Sequence, residues 1–379
     1  MHSDFPFTFA DVRRINGLPD GGGRASEETI CPICGNDKLN ISYVKGIAHC
    51  FGCGHGFNAL TYHKALNPYV SKPYQDILSR MGQDVHTTAP KQYKAKDQEA
   101  GLEKLAPIEV RDKTYMSLLS CLSLYKDHKA DLIGRGFNDV SMYRSISGDV
   151  TKDPMICKKL LSMGCQLKGV PGFYFDGEIW HMSYVKRGIL VPYFNSVGQI
   201  QGMQIRKDNN TLRVKSNGKK ENKYTWLTST WIPKGAMYGT KAETFGHYAC
   251  NFAYDHDTKH MVPVILDENI ILTEGAMKAD LIHQLTGFPV IAIPGVNNYD
   301  TTRKLLAEIK QYGVKCVKQG FDMDSEKNPQ VKQCLEKSVE IIHENGFKCN
   351  RLKWHTEVDG HYLKGLDDYY AYITKKILR

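Results

Sequence analysis

The sequence predicts a multi-domain α/β protein, a class that three observations point to. Near the N-terminus, CPICG (Cys31 to Gly35) and CFGCG (Cys50 to Gly54) form two Cys-x₂-Cys pairs with fifteen residues between them. Four thiolates so spaced suit a closed tetrahedral Zn²⁺ site; with LNISYV and IAHC as strands around Lys45-Gly46, they predict a zinc ribbon. In the middle, Ile189 to Phe194 and Gln199 to Arg206 read as strands around a turn at Asn195 to Gly198, within an α+β segment. In the last third, apolar runs at 270–272, 289–293 and 314–321 alternate with helical periodicities, the pattern of a parallel sheet with crossover helices.

Taken in order, residues 1–30 hold an aromatic turn (Phe5, Phe7, Phe9), a short helix from Ala10 to Asn16 and a Gly-rich loop at 21–23. His49 and His55 flank the second cysteine pair as alternative ligands. Tyr43 and Phe51 are available to stack on bases or to pack the small core. The polar, proline-bounded stretch from Gln83 to Ala106 has no periodicity and reads as a linker. Tyr115, Leu118, Leu119, Leu122 and Tyr125 set a helical period over 112–130, with Asp112 as its N-cap. Beyond the hairpin, seven basic residues (Arg206, Lys207, Arg213, Lys215, Lys219, Lys220, Lys223) face two acids (Asp208, Glu221), an excess of five against +9 for the whole chain. Such a stretch suits phosphate binding.

In the α/β part, one strand ends at Glu274-Gly275 and another at Asp322-Met323-Asp324. Ligand sites of open α/β sheets lie at the carboxyl ends of strands, so three carboxylates from non-adjacent strands are expected on one rim. Hard oxygen ligands of this kind hold Mg²⁺ (or Mn²⁺). A helix over 330–345, a strand over 347–354 and a last helix beginning at 364–373 follow. Asp367 and Asp368 at the start of that helix complement its dipole.

The bulk numbers bound the function. A length of 379 residues suggests two or three domains, and 41% hydrophobic with 24% charged residues is ordinary for a globular protein. The net charge of +9 favours a polyanionic partner. Of 11 cysteines only four are paired by spacing, which argues for a reducing compartment. No apolar run approaches the ~20 residues of a membrane span, and the N-terminus lacks a signal-peptide core. The expected setting is cytoplasmic, with no membrane partner. No GxxxxGK[ST] occurs, so no helicase motor is expected.

These residues also carry a resemblance. HCFGCGHGFNAL (His49 to Leu60) resembles the N-terminal zinc-binding domain of DnaG-type primases. Arg135-Gly136-Phe137 is similar to the segment that opens their RNA-polymerase domain, and Arg206 and Lys223-Tyr224 match basic positions further on. Glu274-Gly275 followed by Asp322-Met323-Asp324 resembles the Toprim domain of topoisomerases and such primases. The resemblance implies a zinc ribbon (1–83), a linker (84–106), an α+β primase subdomain (107–255) and an α/β Toprim domain (256–379). It also implies synthesis of short RNA primers on single-stranded DNA from NTPs, for replication of a phage or mobile element, with a replicative helicase as a further partner. Glu274, Asp322 and Asp324 would be catalytic and, with Asp367 and Asp368, would hold Mg²⁺. Zinc would be held by Cys31, Cys34, Cys50 and Cys53. Arg135, Arg206, Lys207, Arg213, Lys215, Lys223 and Lys278 would bind nucleic acid or nucleotide. The chain departs from the family at Lys278, where an aspartate usually follows the Gly by three residues; here Asp280 comes two positions later. That variant resembles Toprim-like domains of phages, plasmids and integrative elements, and it keeps open a non-catalytic single-strand-binding replication factor; a Toprim nuclease, which would use similar acids to cleave, is the other rival.

Overall fold

The computed structural model describes residues 5–70, 72–82, 102–149, 153–183, 186–214, 220–230, 232–233, 235–323 and 329–377. Two candidate residues, Lys215 and Asp324, lie outside them, as do linker residues 84–101. The fold is mixed α/β with several sheets, and the chain divides into two compact units, residues 1–98 and 99–379. No helix among the described residues is long and apolar enough to cross a membrane.

The first unit opens with α1 (Phe9–Ile15), begun by a capping box in which Thr8 accepts from the Asp11 amide at 3.2 Å and Asp11 from the Thr8 amide at 2.8 Å. Strands β1 (Ser26–Thr29), β2 (Leu39–Ser42), β3 (Ile47–Cys50) and β4 (Gly56–Asn58) then form an antiparallel sheet in chain order. Only β2 and β3 were readable from sequence. SEET presents no apolar alternation and GFN is too short to show a period. Gly46, at φ +66°, makes the expected turn. Helices α2 (Ala59–Leu66) and α3 (Pro73–Arg80) complete the unit. Phe7, Phe9, Val12, Leu39, Ile41, Phe57, Tyr62, Ile77 and Leu78 build its core.

In the second unit, α4 (Ile108–Cys121) and α5 (Lys126–Arg135) replace the single helix expected over 112–130. The break has a tertiary cause: residues 122–125 extend alongside β5 (Arg144–Ile146), where the Tyr125 amide donates to Ser145 Oγ at 2.8 Å and the Ser145 amide to the Ser123 carbonyl at 2.9 Å. Asp112 is therefore inside α4 rather than capping it. Its carboxylate accepts from the Ile200 amide at 2.8 Å and so ties the helix to the sheet.

After α6 (Asp153–Ser162), β6 (Phe173–Phe175) and β7 (Trp180–Met182) come β8 (Gly188–Phe194), β9 (Ile200–Lys207) and β10 (Tyr224–Trp226). The antiparallel sheet runs β10-β9-β8-β5. Tyr115, Leu118, Leu160, Phe173, Leu190, Met203 and Ile205 fill its core. At its edge Lys186 and Lys207 both reach Glu221 Oε1, at 2.8 and 3.0 Å. Burial pushes this carboxyl up, but the two ammonium groups reverse that and hold it down to about 2. A folded-state value below the ordinary 4.5 supplies stability above that pH, which is lost as pH falls toward 2. Glu221→Gln should flatten this dependence, as read from urea midpoints at pH 6 and pH 3.

The third sheet follows β11 (His247–Ala249), with β12 (Phe252–Asp255) and β13 (His260–Pro263) as a separate hairpin. It contains β14 (Asn269–Glu274), then α7 (Ala276–Thr286), β15 (Val290–Ile293), α8 (Tyr299–Lys310), β16 (Cys316–Gln319), α9 (Pro329–Glu344) and β17 (Lys348–Arg351). A two-residue hairpin, β18 (Glu357–Val358) and β19 (His361–Tyr362), precedes α10 (Leu366–Ile377). The order is β11-β15-β14-β16-β17, parallel except for β11. Leu305, Leu306 and Ile309 of α8 and Leu335, Ile341 and Ile342 of α9 pack with Ile270, Leu272, Ile291, Ile293 and Val317. Ala279 and Ile282 of α7 and Leu366 of α10 pack with Ile271, Val290 and Ala292. The β strands are thus sandwiched between two helical layers. From β14 the chain steps to one side, and from β16 to the other, so the switch point falls between those two strands.

Candidate functional site

The four thiols of the ribbon come together as the spacing predicts, and neither His49 nor His55 belongs to the group. Cys31 Sγ is 3.8 Å from Cys53 Sγ, and Cys34 Sγ is 3.6 Å from Cys50 Sγ. A tetrahedron with Zn–S of about 2.3 Å requires S···S of roughly 3.8 Å, so the donor set fits zinc. After each pair a glycine turns the chain back: Gly35 (φ +68°) and Gly54 (φ +75°) donate to the carbonyls of Cys31 and Cys50 at 2.9 and 2.8 Å. The amides of Gly52 and Cys53 point at Cys50 Sγ from 3.3 and 3.5 Å, stabilising a thiolate there. Tyr43 packs on the core and donates to Glu27, whereas Phe51 is exposed with His49 edge-on at 5.0 Å.

A second group forms at the switch point. Glu274 ends β14, and Asp322 follows β16 three residues after Gln319. The sequence reading placed these acids on non-adjacent strands; the sheet order corrects that, because β15 leaves to the far side of β14 and β16 becomes its hydrogen-bonded neighbour. Gly320 lets α10 close over the strand ends, since a Cβ there would lie 2.6 Å from Leu366 Cδ2. The Met323 amide donates to the Lys364 carbonyl at 3.1 Å and draws in the start of α10. Asp368 is exposed and accepts from the Gly365 amide at 3.0 Å, a capping role. Asp367 turns inward and is 6% exposed, and its Oδ1 has no hydrogen-bond partner among the described residues. A Cβ on Gly365 would lie 2.2 Å from that oxygen and 3.3 Å from Asp322 Oδ1, so the glycine leaves a cradle between two carboxylates. An orphaned buried carboxylate oxygen beside such a space fits a hard divalent cation.

Lys278 enters the same space. Its Nζ donates to Asp322 Oδ1, and Lys364 Nζ lies 3.3 Å from Asp322 Oδ2. Burial pulls the Lys278 ammonium down, but Asp322, Asp367 and Glu274 outweigh it and leave it raised. Asp322 answers in the opposite sense: burial would raise it, and the two lysines hold it low. Asp367 is raised, chiefly by burial, with Asp368 and Asp322 adding to it. Among the described residues, the acids of this group do not bring three ligand atoms within the 4.8 Å that the cysteines achieve.

Asp280, two positions beyond Lys278, points elsewhere. Its carboxylate accepts from the Tyr143 hydroxyl and lies 2.8 Å from His247 Nε2. The Phe194 amide donates to His247 Nδ1 at 3.1 Å, so the ring's proton sits on Nε2, toward Asp280. This network joins α7 to the two sheets.

The basic residues sort into three situations. Arg206 is 8% exposed; its Nη1 donates to Asp131 at 2.7 Å, and its Nε is buried without a hydrogen-bond partner among the described residues. Arg135 Nε is 3.7 Å from the same Asp131, and Lys223 lies close enough that burial first, then Arg206 and Arg135, depress its ammonium. Three cations around one acid leave an excess of positive charge suited to phosphate. The Tyr224 hydroxyl, next in the chain, reaches Met277 Sδ at 3.6 Å and couples this cluster to the first turn of α7 beside Glu274. Lys207 is committed to Glu221, and Arg213 is exposed.

One further trio, Asp127, His128 and Asp208, meets the distance criterion for a metal. The Arg187 guanidinium already contacts all three and meets one of the two carboxylate charges without an ion. Asp131 and Lys364 are the residues sequence reasoning passed over. Lys364 directly precedes Gly365 and the acidic pair, which is the signal that could have found it.

Residues 262–376 match the family model of a domain of unknown function, DUF3854. No curated protein matches the chain. Among solved structures it is similar to the zinc-binding and RNA polymerase domains of the Aquifex aeolicus primase, at 16% identity and TM-score 0.45, over 98% of this chain and 84% of that one. It is similar to the RNA polymerase domain of Mycobacterium tuberculosis primase DnaG at 12% identity and TM-score 0.42, over 72% and 81%. Similarity to the primase fragment of the bacteriophage T7 primase-helicase is 10% identity and TM-score 0.29, over 93% and 97%. At such identities and scores the likenesses assign no residue a role in this chain.

Proposed function

We propose that this chain is a DNA primase that joins ribonucleotides into short primers on single-stranded DNA. The observation that carries the reading is that Glu274 and Asp322 lie at the ends of neighbouring parallel strands, with Asp367 Oδ1 beside Asp322 and without a hydrogen-bond partner among the described residues, and with the Arg206–Asp131–Arg135 cluster linked to α7 through Tyr224. The sequence resemblance at His49 to Leu60 and at Arg135, Arg206 and Lys223 supports it. Asp322 and Asp367, with Glu274 and Asp324, would hold Mg²⁺, which when bound supplies charge neutralisation and orientation for a triphosphate. Arg206, Lys223 and Arg135 bind and orient phosphates of template or nucleotide, and burial of Arg206 Nε strengthens that contact. The thiol-bound ribbon presents Phe51 to the template.

Incubating the chain with single-stranded DNA, labelled NTPs and Mg²⁺ tests this. Short RNA products support the primase. Cleaved template without NTPs would replace it with the nuclease. A second reading rests on Lys278, whose ammonium occupies Asp322: DNA binding with no product, in Mn²⁺ as well, would make the chain a non-catalytic single-strand-binding factor. Arg206→Met, which keeps much of the apolar stem, should weaken single-stranded DNA or NTP binding by about ten- to a hundredfold. Fluorescence anisotropy measures it, and a change under twofold removes Arg206 from the binding surface.

A further inference from the structure

The acidic group carries cations of its own. Lys278 follows Glu274 by four residues, donates to Asp322 Oδ1, and is drawn by Asp367 and Glu274 too. Lys364 takes the other side of Asp322 at 3.3 Å. Both Asp322 oxygens thus face ammonium groups, whereas Asp367 Oδ1, buried beside them, has no partner among the described residues. A second ion at Asp322 would have to sit against the Lys278 ammonium, in a partly buried space where like charges repel strongly.

We propose that Lys278 is a built-in stand-in for a metal ion: the group takes one divalent cation, held by Asp367 with the neighbouring Asp322, and the ammonium on Asp322 excludes another. This rests on the reading of Asp322 and Asp367 as a metal site. It gives Lys278 a role distinct from phosphate contact. The residue tunes how many ions the site admits.

Titrating Mn²⁺ into the zinc-loaded full chain, with free Mn²⁺ read by electron paramagnetic resonance, decides it. The expected result is one bound Mn²⁺, lost in Asp367→Asn. Lys278→Met should raise the count to two, with the second lost again when Asp322→Asn is added, and Lys278→Arg should stay at one. Two ions or none at this group in the wild type, or one still in a folded Lys278→Met, would overturn the proposal. If Lys278→Met does not fold, the wild-type count and Lys278→Gln, expected to bind two, carry the test. The count is independent of nucleotide transfer. One bound ion without primers sinks the primase reading alone, and two ions with primers sink this proposal alone.

Discussion

On the primase reading, Asp322→Asn should lower Mg²⁺-dependent primer synthesis about a thousandfold while leaving the chain folded. The amide keeps the volume of the carboxylate and removes its charge from the rim beyond β14 and β16. A bound metal contributes several kcal/mol of charge stabilisation, and about 4 kcal/mol corresponds to three decades of rate. The variant also strips Lys278 and Lys364 of their shared partner. Destabilisation of up to about 1 kcal/mol should accompany the rate loss, the usual worth of ion pairs with partly exposed lysines. Labelled products resolved on a gel give the first quantity and urea melts the second. Activity within tenfold of wild type would take Asp322 out of the reacting site.

The other large effect belongs to the ribbon. Chelating the metal, or making Cys50→Ser, should unfold the first unit while the second keeps its structure. Cys50 is fully buried and its Sγ receives two backbone amides, so serine there loses both a ligand and packing. Structural zinc supplies about 10–16 kcal/mol in small zinc domains, as much as the whole stability of many folds. Hydrogen exchange should show protection lost from β1 to α2 and retained in β14 and β15. Protection surviving in β2 and β3 after chelation would show that the core of Leu39, Ile41 and Phe57 suffices alone.

Much of this was legible because the chemistry was local. Cys31 to Gly54 encodes both ligands and turns in a single stretch, and the hairpin at 188–207 shows as two strand-like runs around a turn from Asn195 to Gly198. The strands ending at Glu274 and near Asp322 showed as apolar runs stopped by acids. What escaped was set by contacts distant in sequence. The helix expected over 112–130 breaks because Ser145 offers residues 123 and 125 better partners than their own helix would. No spacing rule brings Asp367 to Asp322 across 45 positions; that depends on two glycines, Gly320 and Gly365, whose missing side chains make room for α10. Nor could the sequence say that Lys278 turns toward Asp322 while Asp280, half a turn on, turns toward Tyr143 and His247.

The neighbouring placement of β14 and β16 has a practical side for anyone wishing to label the molecule. Glu274 and Asp322 sit where these strands finish, and the loop at 311–315 feeds β16 from the opposite edge, reversing at Gly313 (φ +75°). A dye or surface tether attached at the exposed Lys310 or Gln311 would therefore sit a full strand length away from the carboxylates. Immobilised that way, single molecules would hold the carboxylate rim turned toward the solution.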